Sequence, residues 1–196
     1  MKSAASFLAG SAFGGLAFIA IASLAAAETA DPHLAKARTA IAGLGQGLKN
    51  ELMAAMKSGG PVAAVQVCKT IAPAMAEASS KAMGLKVGRT ALKVRNPANA
   101  PDAFETRVLE DFVAKIAAGG DPAKLEHAET VTENGQKLFR YMKAIPTAAV
   151  PCLTCHGSDL APDLKAEIDK LYPSDQATGF KAGDLRGAFT VTEELE

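Results

Sequence analysis

The stretch L-K-V-G-R-T-A-L-K-V-R, from Leu85 to Arg95, indicates the fold class of this chain of 196 residues. Its apolar and polar residues follow a pattern close to a two-residue repeat, which is typical of a β-strand. In the segments before it, apolar residues recur every three or four positions, as they do in helices. This change of period predicts that the chain combines helices with a sheet.

Two helices are predicted before this strand. An apolar stripe begins after Asp31-Pro32, and Ser58-Gly59-Gly60 ends the first helix. Pro61 suits the first turn of a second helix, which extends to Ala78 and is kinked or broken at Pro73. The apolar face predicted for this second helix consists of Ala64, Val65, Cys68, Ile71, Ala72 and Met75.

Further elements are predicted after the strand. Asp102 and Glu105 form a capping box that begins a helix, and the turn Glu133-Asn134-Gly135 joins two alternating segments. The other predicted elements are strands at 125–131 and 136–145, a helix at 162–171, a Gly-rich loop at 179–187 and a strand at 188–192. The prediction is an α+β fold, with two N-terminal helices followed by an antiparallel sheet into which one helix is inserted.

The pentapeptide Cys152-Leu153-Thr154-Cys155-His156 is the clearest chemical signal. C-x-x-C-H is the attachment signature of a c-type haem, in which two thiols add across the vinyl groups and the His is the proximal iron ligand. A zinc site would need a second ligand pair, and Cys68, His33 and His127 do not have that spacing. A thioredoxin-like dithiol would need a βαβ context, which is not visible. We therefore expect one covalently attached haem c, in a loop after Pro146.

The N-terminus predicts export. Lys2 precedes an apolar run from Ala4 to Ala26, and Ala25-Ala26-Ala27 forms a small-residue cleavage site. Residues 1–27 are therefore predicted to be a signal peptide, and residues 28–196 a single haem-binding domain in the periplasm. The alternative is an uncleaved membrane anchor, because the run is nearly long enough to span a bilayer. Covalent haem attachment takes place in the same compartment.

The composition argues against several kinds of partner and activity. The 21 Lys and Arg residues balance the 21 Asp and Glu residues, so there is no bulk attraction to nucleic acid or to anionic lipid. The only membrane contact expected is through an uncleaved leader. No Ser/His/Asp set and no paired carboxylates in a plausible pocket stand out, so no enzymatic activity is predicted.

The second axial ligand of the iron is left open by the residues alone. Cys68 is the one thiol that the haem would not use, and an odd thiol in an oxidising compartment is unusual. A buried helical Cys is often simply a small hydrophobic side chain. His33 and His127 are interpreted as solvated surface residues. Core filling is the simpler interpretation of the remaining candidates, which are Met53, Met56, Met75, Met83 and Met142.

Several separated blocks carry a resemblance that covers nearly the whole mature chain. They are V-Q-V-C-K-T-I-A-P at 65–73, G-R-T-A-L-K-V-R-N-P-A-N-A-P-D at 88–102, C-L-T-C-H-G at 152–157, L-Y-P-S-D-Q-A-T-G-F at 171–180 and G-D-L-R-G-A at 183–188. Through them the chain resembles the small extracytoplasmic c-type haem proteins of the cyanobacterial photosystem-associated type. The same module occurs as a sensor domain of bacterial signalling proteins.

The resemblance implies a PAS-like fold and haem ligation by His156 and Cys68. A thiolate ligand would lower the reduction potential of the iron. The residues add a separate expectation, because Arg89, Lys93 and Arg95 fall on one face of the predicted strand. Arg makes bidentate contacts with carboxylates, so Arg89 or Arg95 is expected to reach a haem propionate or to order the loop near it.

The function predicted from these features is redox sensing or low-potential electron transfer. The partner would be an unknown redox protein or a separate signalling protein. One alternative is a gas sensor, in which nitric oxide or carbon monoxide displaces Cys68 from the iron. Another is a cytochrome c′-like helical bundle, which also has its C-x-x-C-H late in the chain. The strand pattern of Leu85–Arg95 argues against the bundle.

Overall fold

The computed structural model describes residues 31–196, so the predicted signal peptide, residues 1–27, lies outside the described residues. Helices pack on a four-stranded antiparallel sheet, which confirms the predicted α+β class with N-terminal helices. In chain order, the elements are α1 (Pro32–Gln66), a π-helical turn (Val67–Ile71), α2 (Ala72–Met83), β1 (Lys86–Thr90), α3 (Ala103–Ala117), β2 (Glu126–Glu133), β3 (Gln136–Pro146), α4 (Cys152–His156), α5 (Pro162–Leu171) and β4 (Leu185–Glu194). No helix within residues 31–196 is long and apolar enough to cross a membrane.

Helix α1 consists of two segments that meet at Gly60. The carboxylate of Asp31 caps its start by accepting the backbone N–H of His33 at 2.9 Å. Gly60 has a φ of 70° and a ψ of −166°, which no helical residue adopts. Pro61 follows in the first turn of the second segment, where its missing N–H costs nothing. The predicted boundary between two helices is therefore confirmed as a sharp kink.

A π-helical turn at Val67–Ile71 separates α1 from α2. The backbone N–H of Ala72 donates to the carbonyl oxygen of Val67, five residues earlier. Pro73 follows directly, and since it has no N–H the α-helical ladder is interrupted there, as expected. Ile71, the last residue of this wider turn, is exposed, so its prediction as a core-facing residue is wrong.

The sheet has the strand order β1-β4-β3-β2, with all neighbours antiparallel. Strand β1 pairs only from Lys86 to Thr90, so the prediction that it continues to Arg95 is wrong. The hairpin between β2 and β3 turns at Asn134 and Gly135, with φ values of 51° and 81°, and this confirms the predicted turn. Strand β4 is longer than predicted, because it pairs with β3 from Leu185 onward.

The two faces of the sheet are covered by different helices. Tyr141 on β3 packs with α1 on one face, whereas Met142, the next residue, packs with α3 on the other. The capping box of α3 is present, with both Asp102 and Glu105 accepting backbone N–H groups. Helix α5 packs beside α1 through a separate cluster around Val65. A sheet enclosed by helices cannot be a four-helix bundle, so the cytochrome c′-like alternative is wrong.

Candidate functional site

One cavity of about 240 Å³ brings together most of the residues singled out in the sequence. It lies between the second segment of α1, the π turn, the end of β1, α4 and the start of β4. The predicted site residues that line it are Cys68, Arg89, Arg95, Cys152, Cys155 and His156. Its apolar wall includes Leu52, Met56, Val65, Ile145 and Tyr172.

The C-x-x-C-H residues form a short helix, α4, and not the loop predicted for them. Cys152 and Cys155 are three residues apart and His156 is four residues from Cys152, so one helical turn brings all three side chains to the same side. Both thiols are free and partly buried. The backbone N–H of Gly157 donates to the carbonyl oxygen of Leu153 at 2.9 Å and ends the helix.

The imidazole of His156 is held in one orientation by the backbone. Its Nδ1 lies 2.7 Å from the carbonyl oxygen of Ala177, and because a carbonyl only accepts, Nδ1 carries the proton and Nε2 keeps its lone pair. Burial, together with the positive charges of the nearby Arg186 and Arg95, lowers the pKa of His156 to about 2. The ring is therefore neutral, which is the form that binds a metal.

Cys68 lies in the π turn and lines the cavity. It approaches from the N-terminal helices, whereas the other two thiols come from α4, so two distant parts of the chain supply the three thiols. Burial raises the pKa of the Cys155 thiol, and the charges of Cys68 and Cys152 act in the same direction while Arg95 opposes them. The Cys155 thiol therefore lies near both other thiols and near Arg95.

Arg95 is engaged with the protein. Its side chain is 7% exposed and pairs with Asp175, which is equally buried, with an Nη2–Oδ2 distance of 2.9 Å. The same Nη2 donates to the carbonyl oxygen of Cys155 at 2.7 Å and to that of Ala177 at 3.2 Å. Since Ala177 also accepts from His156, Arg95 fixes both the end of α4 and the carbonyl group that orients the imidazole.

The predicted common face of Arg89, Lys93 and Arg95 is wrong because β1 ends at Thr90. Lys93 is exposed and donates to the carbonyl oxygen of Thr178, outside the cavity. Arg89 and Arg95 both line the cavity, but they reach it from different backbone conformations.

Arg186 lines the cavity too, and the sequence analysis missed it. Its Nε is buried and has no hydrogen-bond partner among residues 31–196, and its Nη1 makes a long contact of 3.4 Å with the carbonyl oxygen of Lys93. Burial, together with the positive charges of Arg95 and Arg89, lowers the pKa of Arg186 to about 10. The available signal was a single Arg between the glycines at 183 and 187, beside the start of a strand.

The other candidate iron ligands lie mostly elsewhere. Met56 is the one predicted Met that lines the cavity, whereas Met142 is fully buried beneath α3 and Met53 is exposed. His33 pairs with Glu193 at 2.7 Å and His127 with Glu129 at 2.9 Å, in positions outside the cavity. Both His residues are half-buried, so the prediction that they are solvated surface residues is only partly confirmed.

The donor set of the cavity fits a c-type haem. Two thiols and a neutral imidazole are on one helical turn, a third thiol faces the same space, and the wall is largely apolar. Arginines supply positive charge, which suits a macrocycle with two carboxylates. The residues that would hold the group are therefore Cys152 and Cys155 by thioether bonds and His156 by its Nε2.

Comparison with known proteins agrees with this fold. No curated protein matches the chain. The crystal structure of the cyanobacterial heme-protein Tll0287 is similar, with 30% sequence identity and a TM-score of 0.65, over 85% of this chain and 98% of that chain. The family model described as Tll0287-like matches residues 20–193. The chain therefore belongs to the Tll0287-like family.

Proposed function

We propose that this chain is an extracytoplasmic c-type haem protein that acts in redox sensing or low-potential electron transfer. One haem would be attached through Cys152 and Cys155 and ligated by His156 and Cys68. The observation that carries the proposal is the single cavity lined by all four of these residues. The heme-protein named among the similar structures supports it independently.

The residues around the cavity have distinct roles in this proposal. A haem supplies a one-electron couple whose potential depends on its axial ligands and on nearby charges. Ala177 orients His156 through Nδ1, which increases the basicity of the imidazole. Cys68, as a thiolate, would lower the potential, and the apolar wall would keep water from the ligands. A periplasmic electron carrier or a separate signalling protein would be the partner.

Covalent attachment is tested by producing the full chain in a host that attaches haem in its periplasm. The mature protein is expected to gain the mass of one haem and to lose its leader after Ala27. Cys152→Ala and Cys155→Ala together should abolish the gain in mass. A mature chain that carries no covalent haem, or one that retains it in the double variant, would contradict the proposal.

The axial ligands are tested by electron paramagnetic resonance of the ferric protein. A low-spin thiolate signal is expected, and Cys68→Ala should remove it. Thr70→Ala, an exposed change on the same π turn, is the matched control and should leave the signal intact. A high-spin spectrum that is unchanged in Cys68→Ala would reject thiolate ligation. Carbon monoxide or nitric oxide is then added to the reduced protein, and rapid binding seen in its absorption spectrum would favour gas sensing over electron transfer.

A further inference from the structure

The cavity contains more positive charge than the described protein neutralises. Three guanidinium groups line it, those of Arg89, Arg95 and Arg186. Asp175 supplies the buried carboxylate that pairs with one of these three arginines, and both of its oxygens accept hydrogen bonds from Arg95. One guanidinium is therefore neutralised by one carboxylate, and two are left over.

The two remaining arginines have few partners. Among residues 31–196, no carboxylate pairs with Arg89 or Arg186, and the Nε of Arg186 is buried without a hydrogen bond. The nearest favourable contact of the Arg186 guanidinium with a side chain is the face of the Phe180 ring, at 5.4 Å. Partly buried cations that repel one another are costly unless an anion neutralises them.

The geometry points to a subsite for two carboxylates. We propose that Arg186 and Arg89 bind the two propionates of a porphyrin in this cavity, and that Arg95 is a positioning residue that holds α4 and Ala177. The inference rests on the proposed function, since it concerns the same cavity. Of the two arginines expected from the sequence, Arg89 keeps the propionate role, whereas the guanidinium of Arg95 is occupied by Asp175.

Binding of a metal-free porphyrin tests the subsite without relying on covalent attachment. The full mature chain, produced without haem-attachment proteins and shown to be folded by circular dichroism, is titrated with protoporphyrin IX and with its dimethyl ester. Each lost carboxylate–guanidinium contact weakens binding by about tenfold or more, so the diacid is expected to bind at least that much more tightly than the diester. The double variant Arg89→Gln/Arg186→Gln should lose this preference, and Arg186→Lys should keep part of it.

Lys93→Gln is the matched control, because it removes a cation that also lies over Phe180 but outside the cavity. It should retain the full preference for the diacid. Equal binding of diacid and diester, a preference that survives the double variant, or no porphyrin binding by the folded chain would each overturn the subsite. The porphyrin titration and the mass measurement are made on separate preparations of the chain. If the mass shows covalent haem but the titration shows no preference for the diacid, only this inference is disproved.

The haem-loaded protein supplies a second measurement that does not depend on the folding of the haem-free chain. In the wild type the reduction potential should be independent of pH between about 5 and 8, because the arginines keep both carboxylates ionised. In the double variant the carboxylates should take up a proton on reduction. The equilibrium then changes by up to about tenfold per pH unit, or about 59 mV for one electron. Equal pH profiles in the two proteins would overturn the inference.

Discussion

Asp175→Asn should be the most destabilising conservative change near the cavity. Asp175 and Arg95 are each 7% exposed, and the carboxylate accepts from both Nε and Nη2 of Arg95, at 3.1 and 2.9 Å. Its Oδ1 also accepts the backbone N–H of Ala177 at 2.8 Å. Asn keeps the size of the side chain but removes its charge, so Arg95 would remain buried beside two other arginines without a counter-ion.

The magnitude follows from the burial of the pair. Removing one partner of a buried ion pair costs about 3–5 kcal/mol, because the other charge is left uncompensated. A domain of this size has a total free energy of unfolding of about 5–15 kcal/mol, and its melting temperature falls by about 2–4 °C for each kcal/mol lost. Asp175→Asn is therefore expected to lower the melting temperature by roughly 10 °C.

Urea denaturation and thermal melting followed by circular dichroism would measure the effect. Asp169→Asn is the matched control, since Asp169 pairs with Lys165 at 2.6 Å on the exposed surface, where such a pair contributes less than about 1 kcal/mol. The double variant Arg95→Met/Asp175→Asn should be no less stable than Asp175→Asn alone, because it buries no unpaired charge. If Asp175→Asn and Asp169→Asn lose the same small amount, the argument from burial is wrong.

Three other changes test the sheet and the cavity wall. Burial and a bond to Glu126 raise the pKa of Tyr141, so the free energy of unfolding should fall as the pH rises above about 10, and Tyr141→Phe should flatten this slope in urea titrations. Gly187→Ala would force a Cβ against the carbonyl oxygen of Thr90 and should cost about 1–3 kcal/mol; equal stability of this variant and the wild type would refute the contact. The Thr147 hydroxyl is buried and has no partner among residues 31–196, so Thr147→Val should keep or raise the melting temperature, and a loss above about 1 kcal/mol would show that the hydroxyl is bonded.

Signals that act over a few residues predicted much of the fold. Gly60-Pro61 separates two helical segments because the conformation of one residue and the missing N–H of the next decide the geometry locally. The capping box at Asp102 and the turn at Asn134-Gly135 are equally local. The C-x-x-C-H residues and Cys68 were likewise identified in the sequence, and the structure brings them into one cavity.

The errors concern features that depend on distant parts of the chain. The alternation of Leu85–Arg95 continues past Thr90, but β1 ends at Thr90 because its pairing with β4 ends there. The partner residue, Ala188, lies about a hundred residues further along the chain. Arg95 leaves the sheet and pairs with Asp175, a partner that no local periodicity reveals. Arg186 was missed for the same reason, because an isolated Arg in a Gly-rich segment shows its role only when the strands are assembled.

The π turn at Val67–Ile71 amounts to one extra residue inserted into a continuous helix. Each residue of an α-helix advances the side-chain direction by about 100°, so the insertion sets the phase of α2 independently of α1. Deleting Lys69 would remove the insertion and rotate Met75 by about 100° relative to Cys68. The inserted residue therefore lets α1 and α2 each turn an apolar face to the same core cluster, while Cys68 between them lines the cavity.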